Sequence, residues 1–419
     1  MSGTDPGRTA GAARTAERWG VFELPVAGPG DEVVFTDGGG RRFTAAAFTG
    51  DEGAHLVRFM PDAEGEWHYR SAETSGTFTC VPPAPGNHGP VHVAGERSFR
   101  YADGHLFHPV GTSVGDAGRA TLRTLADAPF NRVRLLGSAD LPLGVLDEQV
   151  AALLALGIEA EVDLAGRFGA DPGGGDGART AGIAETVARL AAYRNVWWRA
   201  PRDPDAQTTI REHDHGHRLL TVHGGPATDF GAPWITHASL RLEDPHAVAG
   251  LGAALGKPVV VDDCGAEGDG PVPGRSLTAA ELVTRIWEGV CQGGHVTHGE
   301  AYGTRPWLVH GGGLAGESAP RLAFLRGILD DAPPGLVHDP VYYDASTLVA
   351  PGEYWLQYLG AHRYPYRRFE LPPGGWHVEV LDTWRMTVDP PRRAAGGRVE
   401  VQLPADPYCA IRIRRAPGA

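Results

Sequence analysis

Residues 131–165 read NRVRLLGSADLPLGVLDEQVAALLALGIEAEVDLA. The first stretch, Asn131–Gly137, alternates apolar and charged residues, as a strand does. From Leu146 to Gly157 the apolar residues Val150, Leu153, Leu154 and Leu156 fall mainly on one face of a helix, and Gly157 closes it. Glu159–Ala165 then reads as a second strand. Strand, helix and strand in about 35 residues form a βαβ unit, which implies parallel strands.

The same alternation extends in both directions. Strand patterns also fall at 106–113, 196–200, 219–224, 236–241, 258–264 and 295–302. Helical patterns fall at 182–193, 245–256, 277–293 and 318–331. Eight strands with interleaved helices predict a (β/α)₈ barrel over 91–333. The connection 224–235 is too short for a full helix, so the barrel is lean.

Short alternating strands before and after this region predict two all-β parts. Residues 18–90 read as an immunoglobulin-like β-sandwich ending in the Pro-rich linker 82–90, and residues 334–419 as a C-terminal β-domain. Residues 1–17 are small and polar and read as a disordered N-terminus. The three parts are expected to pack as one body, because the linker is short and the tail has little core of its own.

With 51 acidic and 38 basic residues, the net charge of −13 argues against nucleic-acid and anionic-membrane partners. No stretch reaches the length of a membrane span, and the start of the chain has no apolar signal region. Cys80, Cys264, Cys291 and Cys409 are scattered, as expected of reduced thiols in a cytoplasmic protein. No cofactor or metal is expected. The tract His213-Asp214-His215-Gly216-His217 reads as a helix end and turn rather than a metal site, and the glycines of 173–177 lack the lysine of a phosphate loop.

Barrel chemistry lies at the C-terminal ends of the strands. Polar residues expected there are Arg134, Asp163, Arg202, Asp203, His223, His237, Asp262, Asp263, Glu267, His298 and Glu300. Asp203 and Asp263 end strands four and seven, where paired carboxylates can cleave a glycosidic bond. Tyr302 and Trp307 follow strand eight and could stack on a planar ligand.

The motifs Arg18-Trp19-Gly20-Val21-Phe22-Glu23-Leu24, Val57-Arg58-Phe59-Met60-Pro61, Glu64-Gly65-Glu66-Trp67 and Pro85-Gly86-Asn87-His88-Gly89-Pro90 resemble those of provisionally assigned bacterial glycoside hydrolases. So do Pro129-Phe130-Asn131-Arg132-Val133-Arg134, Asn195-Val196-Trp197-Trp198, Thr297-His298-Gly299-Glu300-Ala301-Tyr302, Gly316-Glu317-Ser318 and Leu381-Asp382-Thr383-Trp384-Arg385-Met386-Thr387. The resemblance covers nearly all of the chain after residue 17. It implies a sandwich, a glycosidase barrel and a C-terminal β-domain, with a carbohydrate or other small-molecule ligand.

The departures are equally specific. Where such proteins read S-L-A-N-E-Y-D, with Glu as general acid, this chain has Arg199-Ala200-Pro201-Arg202-Asp203-Pro204-Asp205. Where they read D-E-C-x-Y-E-G, with the first Glu as nucleophile, it has Asp262-Asp263-Cys264-Gly265-Ala266-Glu267-Gly268. Both catalytic Glu positions are Asp. Each change withdraws a carboxylate by about 1.5 Å, enough to move a retaining pair toward the inverting spacing of about 6.5–9.5 Å. Arg202 is expected to hold Asp203 ionised, which is wrong for a general acid.

Loops after strands two and three are also reduced. Two functions follow. One is hydrolysis of a glycosidic bond or a glycosylated small molecule by Asp203 and Asp263, with Glu300 as a further catalytic group and Arg134, Arg202, His223, His237, Glu267, His298, Tyr302 and Trp307 binding substrate. The other is a repurposed scaffold with non-hydrolytic acid–base chemistry in specialised metabolism, or ligand binding without turnover.

Overall fold

The computed structural model describes residues 14–139, 141–169, 176–270 and 275–416. The predicted disordered start therefore lies mostly outside the described residues. Thr15–Glu17 is nevertheless a strand, paired in parallel with Thr79–Val81. Ala16 is buried in the apolar core beneath it, which corrects the expected disorder there.

Two antiparallel sheets follow the short alternating strands. One runs Thr15–Glu17, Ser75–Val81, Gly65–Arg70, Glu32–Asp37, Arg42–Ala46, with its first pair parallel. The other runs Phe22–Val26, His55–Phe59, Phe48–Thr49. Their inner faces share one core, in which Phe22 stacks on Phe78 at 4.0 Å and Phe35 on Phe59 at 4.2 Å. Arg58 and Arg189 both bond Asp147 at 2.8 Å, tying this sandwich to the central part. In the linker Gly89 has φ +75°, and a Cβ there would meet the Trp19 ring at 2.6 Å, so only glycine fits.

The central part is α/β. Gly111–Val114, Arg132–Leu135, Glu159–Asp163, Val196–Arg199 and Leu220–Thr221 form a parallel sheet in that order. His223–Gly224, Ala238–Arg241, Val259–Asp263 and His295–Val296 form a second. Val222 alone separates the two on one side, and a parallel bridge joins Thr112 to His298 on the other.

Alternation explains which residues face where. Val133, Leu135, Ala160, Val162, Trp198 and Val261 pack with the helices Leu143–Ala155, Asp176–Leu190 and Ala279–Cys291. Their strand neighbours, among them Arg132, Arg134, Glu161, Ser239 and Asp262, take the other face and are buried there.

The predicted first strand, 106–113, is broken. Leu106–Phe107 joins an antiparallel sheet with Ser98–Tyr101 and Val91–Ala94, and only Gly111–Val114 is parallel. Pro109, which has no N–H to give a ladder, lies at the break. Phe99 and Phe107 of that small sheet pack on Trp197, Leu219 and Val260 at the N-terminal end of the parallel strands. The predicted eighth strand is likewise divided into His295–Val296 and Glu300–Ala301, the latter pairing with Ala266–Gly268.

The last part is a largely antiparallel sheet built on Tyr354–Tyr358, Cys409–Arg415, Tyr366–Asp382 and Arg392–Gln402. Tyr354, Leu356, Tyr358 and Ala410 join the central core, while Trp355, Trp376, Ile411 and Ile413 build a second core on the opposite face. Among the described residues no helix is long and apolar enough to cross a membrane.

Candidate functional site

A cavity of about 380 Å³ opens at the C-terminal ends of the parallel strands. Its polar lining includes Arg134, Arg199, His223, Arg241, Asp262 and Asp263, with Arg275 beside them. Beneath it lies a buried ionic network. Arg132 donates to Asp262 Oδ1 at 2.8 Å and to Glu161, and Arg134 Nε donates to Glu161 Oε1 at 2.9 Å. Asp262 also accepts from Thr297 Oγ1 at 2.8 Å and Ser239 Oγ at 2.5 Å. Burial alone would raise the Asp262 pKa. Arg132 and Arg134 outweigh it and hold the carboxyl far below the usual range.

The network sets the state of His223. Ser239 has one hydroxyl proton, and an ionised Asp262 can only accept it. Ser239 Oγ, 2.9 Å from His223 Nδ1, must therefore accept the Nδ1–H. His223 Nε2 is left as a lone pair. Burial, then the charge of Arg134, pushes the His223 pKa down to about 4, so the ring is neutral at pH 7.

Asp263 also lines the cavity. Burial works against its charge, but Arg275, the Gly265 N–H and Arg241 bring its pKa below the ordinary value. Arg241 Nε lies 3.1 Å from Oδ2, and Arg275 pairs with Oδ1. Asp263 is a fixed anion.

Asp203, expected to face it, lies outside the cavity lining. It caps the helix Pro204–His213, accepting from the N–H groups of Asp205 and Ala206, each at 2.9 Å. Those bonds, led by Ala206, and the charge of Arg179 at 2.5 Å keep it ionised. The expected cation, Arg202, instead donates to His223 O at 3.0 Å and Thr228 Oγ1 at 2.9 Å.

Glu267 and Glu300 are buried and bonded to the segment Ala315–Ser318. Glu267 accepts from Glu317 N at 2.7 Å, Ser318 N at 3.1 Å, the Ser318 hydroxyl, and Tyr302 O–H at 3.1 Å. Glu300 accepts from Ala315 N at 2.7 Å and Gly316 N at 3.0 Å. Together they hold the entry to the helix Ser318–Asp330, rather than standing free at the mouth. Burial raises the Glu300 pKa, and the charge of Glu267 adds to this.

Glu267→Ala should therefore cost about 2–3 kcal/mol, since it strands several buried donors. Urea unfolding of the variant reads this directly. An unchanged midpoint would return Glu267 to the list of ligand contacts.

His298 lines the cavity and is buried. Trp307 Nε1 donates to Thr112 Oγ1 at 2.9 Å, and that oxygen lies 3.0 Å from His298 Nδ1. His298 Nε2 has no partner and is 4.0 Å from Glu300 Oε2. Ligand atoms of Glu267, His298 and Glu300 lie within 4.8 Å of one another, but the two carboxylates already serve the helix entry.

Trp307 itself is 2% exposed, so the expected stacking on a ligand gives way to packing. His237 is also buried, against Phe99 at 5.8 Å and Trp197 at 5.4 Å, toward the opposite end of the strands. Tyr302 is not part of the cavity lining. In the His213–His217 tract, Asp214 accepts from Trp198 Nε1 and from the Arg218 and Gly216 N–H groups, a structural turn.

The sequence reading passed over Arg199, Arg241 and Arg275 as site residues, and Arg132, Glu161 and Ser239 beneath them. For Arg132 and Glu161 a signal was present: Arg132, Arg134, Glu159, Glu161 and Asp163 put charge at every second position of two adjacent strands.

Residues 15–74 match the family described as Domain of unknown function (DUF5060), and residues 343–414 that described as Domain of unknown function (DUF5605). A provisionally assigned glycoside hydrolase from Bacteroides vulgatus ATCC 8482 is similar in structure, with a TM-score of 0.84 and 28% identity over 96% of this chain and 100% of its own. A protein described as a glycoside hydrolase aligns with a TM-score of 0.65 at 12% identity, over 80% of this chain and 98% of its own. A family 5 glycoside hydrolase from B. vulgatus ATCC 8482 aligns with a TM-score of 0.64 at 13% identity, over 79% and 95%. No curated protein matches the chain. The fold is thus a glycosidase-like α/β scaffold with β-rich parts on either side.

Proposed function

We propose that the parallel strands close into a (β/α)₈ barrel between a sandwich, 14–90, and a C-terminal β-domain, 334–416, and that the cavity at the strand ends binds a small polar ligand. The structural neighbours support a glycosidase-like ancestry, and the Thr112–His298 bridge supports closure. In this reading the scaffold is repurposed. The groups that meet the ligand are the ion cluster of Asp263 with Arg241 and Arg275 and the neutral imidazole of His223, and hydrolysis by an Asp203–Asp263 pair is not its chemistry.

One observation carries the reading. Asp203 is committed to a helix cap and to Arg179 and is kept ionised, whereas a glycosidase acid must hold a proton until the leaving oxygen takes it. Among the described lining residues, His223 Nε2 offers a defined lone pair with no fixed cation on it, which suits it to accept a hydrogen bond from a ligand hydroxyl or N–H.

Ligand screening by thermal shift on three proteins tests this. A cavity ligand should bind with altered affinity in Asp263→Asn, which releases Arg241 and Arg275, and with unchanged affinity in Asp203→Asn. The latter should cost only about 1 kcal/mol of stability, from the weakened cap. Equal loss in both variants would contradict the reading and favour the paired carboxylates.

A further inference from the structure

We propose that the cavity takes an anionic ligand, a small molecule bearing one carboxylate, and that Arg199, Arg241 and Arg275 receive that group. The inference rests on the cavity being the ligand site.

Charge is the first argument. Around and beneath the cavity, the guanidinium groups of Arg132, Arg134, Arg199, Arg241 and Arg275 meet the carboxylates of Glu161, Asp163, Asp262 and Asp263. Among the described residues, and leaving aside Glu267 and Glu300, whose carboxylates are held by the N–H groups of Ala315–Ser318, that set has one more cation than anions, within a chain whose net charge is −13. A monoanion completes the balance. A phosphate ester, at about −1.5 to −2, exceeds it.

Hydrogen-bond supply is the second. The two lining carboxylates are already used: Asp262 by Arg132, Ser239 and Thr297, and Asp263 by Arg241 and Arg275. A neutral sugar must donate its hydroxyl protons, and it would find few acceptors here besides His223 Nε2. Donors, by contrast, are in surplus. Arg199 gives Nη1 to Asp163 at 2.5 Å, and its Nε is buried with no partner. Arg241 gives only Nε, and Arg275 only Nη2, to Asp263. The remaining guanidinium edges suit a carboxylate, which accepts on both oxygens. Leu136, Leu308 and Val309 supply an apolar wall for the body of the ligand.

Isothermal titration of the full chain at low ionic strength tests this with D-glucuronate and D-galacturonate, against D-glucose, D-galactose and inorganic phosphate. The uronates should bind, more weakly as salt is added, and the neutral sugars and phosphate should not. Arg199→Gln and Arg241→Gln should each weaken uronate binding by about tenfold. Arg241 is exposed and bonds only Asp263, so its variant keeps the fold.

Neutral sugars binding as tightly as uronates, phosphate binding best, or no binding of either uronate would each overturn the inference while leaving the cavity reading standing. Uronate binding that survives both Arg199→Gln and Arg241→Gln would place the ligand elsewhere and overturn both.

Discussion

Lowering the pH from about 7 to about 5 should remove several kcal/mol of stability. Five imidazoles are held neutral by burial: His223, His237 and His298 are pushed down to about 4, and His215 and His295 to about 3. An unfolded histidine takes its proton near pH 6.5. Between that pH and about 4 the unfolded chain therefore binds more protons than the folded one. Stability is full above about 6.5 and falls as pH drops through this window.

Each such histidine contributes a slope of about 1.4 kcal/mol per pH unit, so even two of them give nearly 3. Glu159 works in the opposite sense. Burial raises its pKa to about 8, so its contribution is complete below about 4.5 and is lost as pH rises through 8. It offsets about one histidine. Urea unfolding at a series of pH values reads the net slope, which should shrink in His237→Gln. A flat profile between pH 7 and 5 would mean that these rings are not held neutral.

The second large effect is expected at Arg132. Its side chain is fully buried between Glu161 and Asp262, 5.0 Å over the Trp197 ring. Arg132→Leu leaves both carboxylates with Arg134 as their remaining cation and should cost about 3–5 kcal/mol. Glu161→Leu in the same chain should recover part of that loss, because the cation and one of its anions leave together. It should also disturb the cavity, since Asp262 fixes Ser239 and through it the tautomer of His223. A double-mutant cycle by urea unfolding measures the coupling. A cost below about 1 kcal/mol for Arg132→Leu would show that water, not Arg132, meets these carboxylates.

Strand and helix alternation was legible because each period-2 run in the centre has one apolar face against helices, as in Val133 and Leu135. The run 106–113 misled because its apolar residues serve two sheets on either side of Pro109. At the site, Asp203 was read from its place in a glycosidase pattern. Yet Asp203-Pro204-Asp205 is also a helix-start signal, an N-cap followed by Pro at N1, and the local chemistry won. The roles of Glu267 and Glu300 could not be read locally, since their partners lie 50 and 15 residues away and on. The arginines that dominate the cavity were visible as residues but not as a set. Arg199, Arg241 and Arg275 come from three separate segments, and only the fold brings them together.

In the proposed reading the cavity does not work through a paired-carboxylate glycosidase mechanism. Initial rates of nitrophenol release from a panel of aryl glycosides, measured for the unmodified protein and for Asp203→Ala and Asp263→Ala, test it most directly. No release above background is expected from the unmodified protein. Ready turnover that falls by orders of magnitude in both variants would contradict it and return Asp203 and Asp263 to the roles of acid and nucleophile.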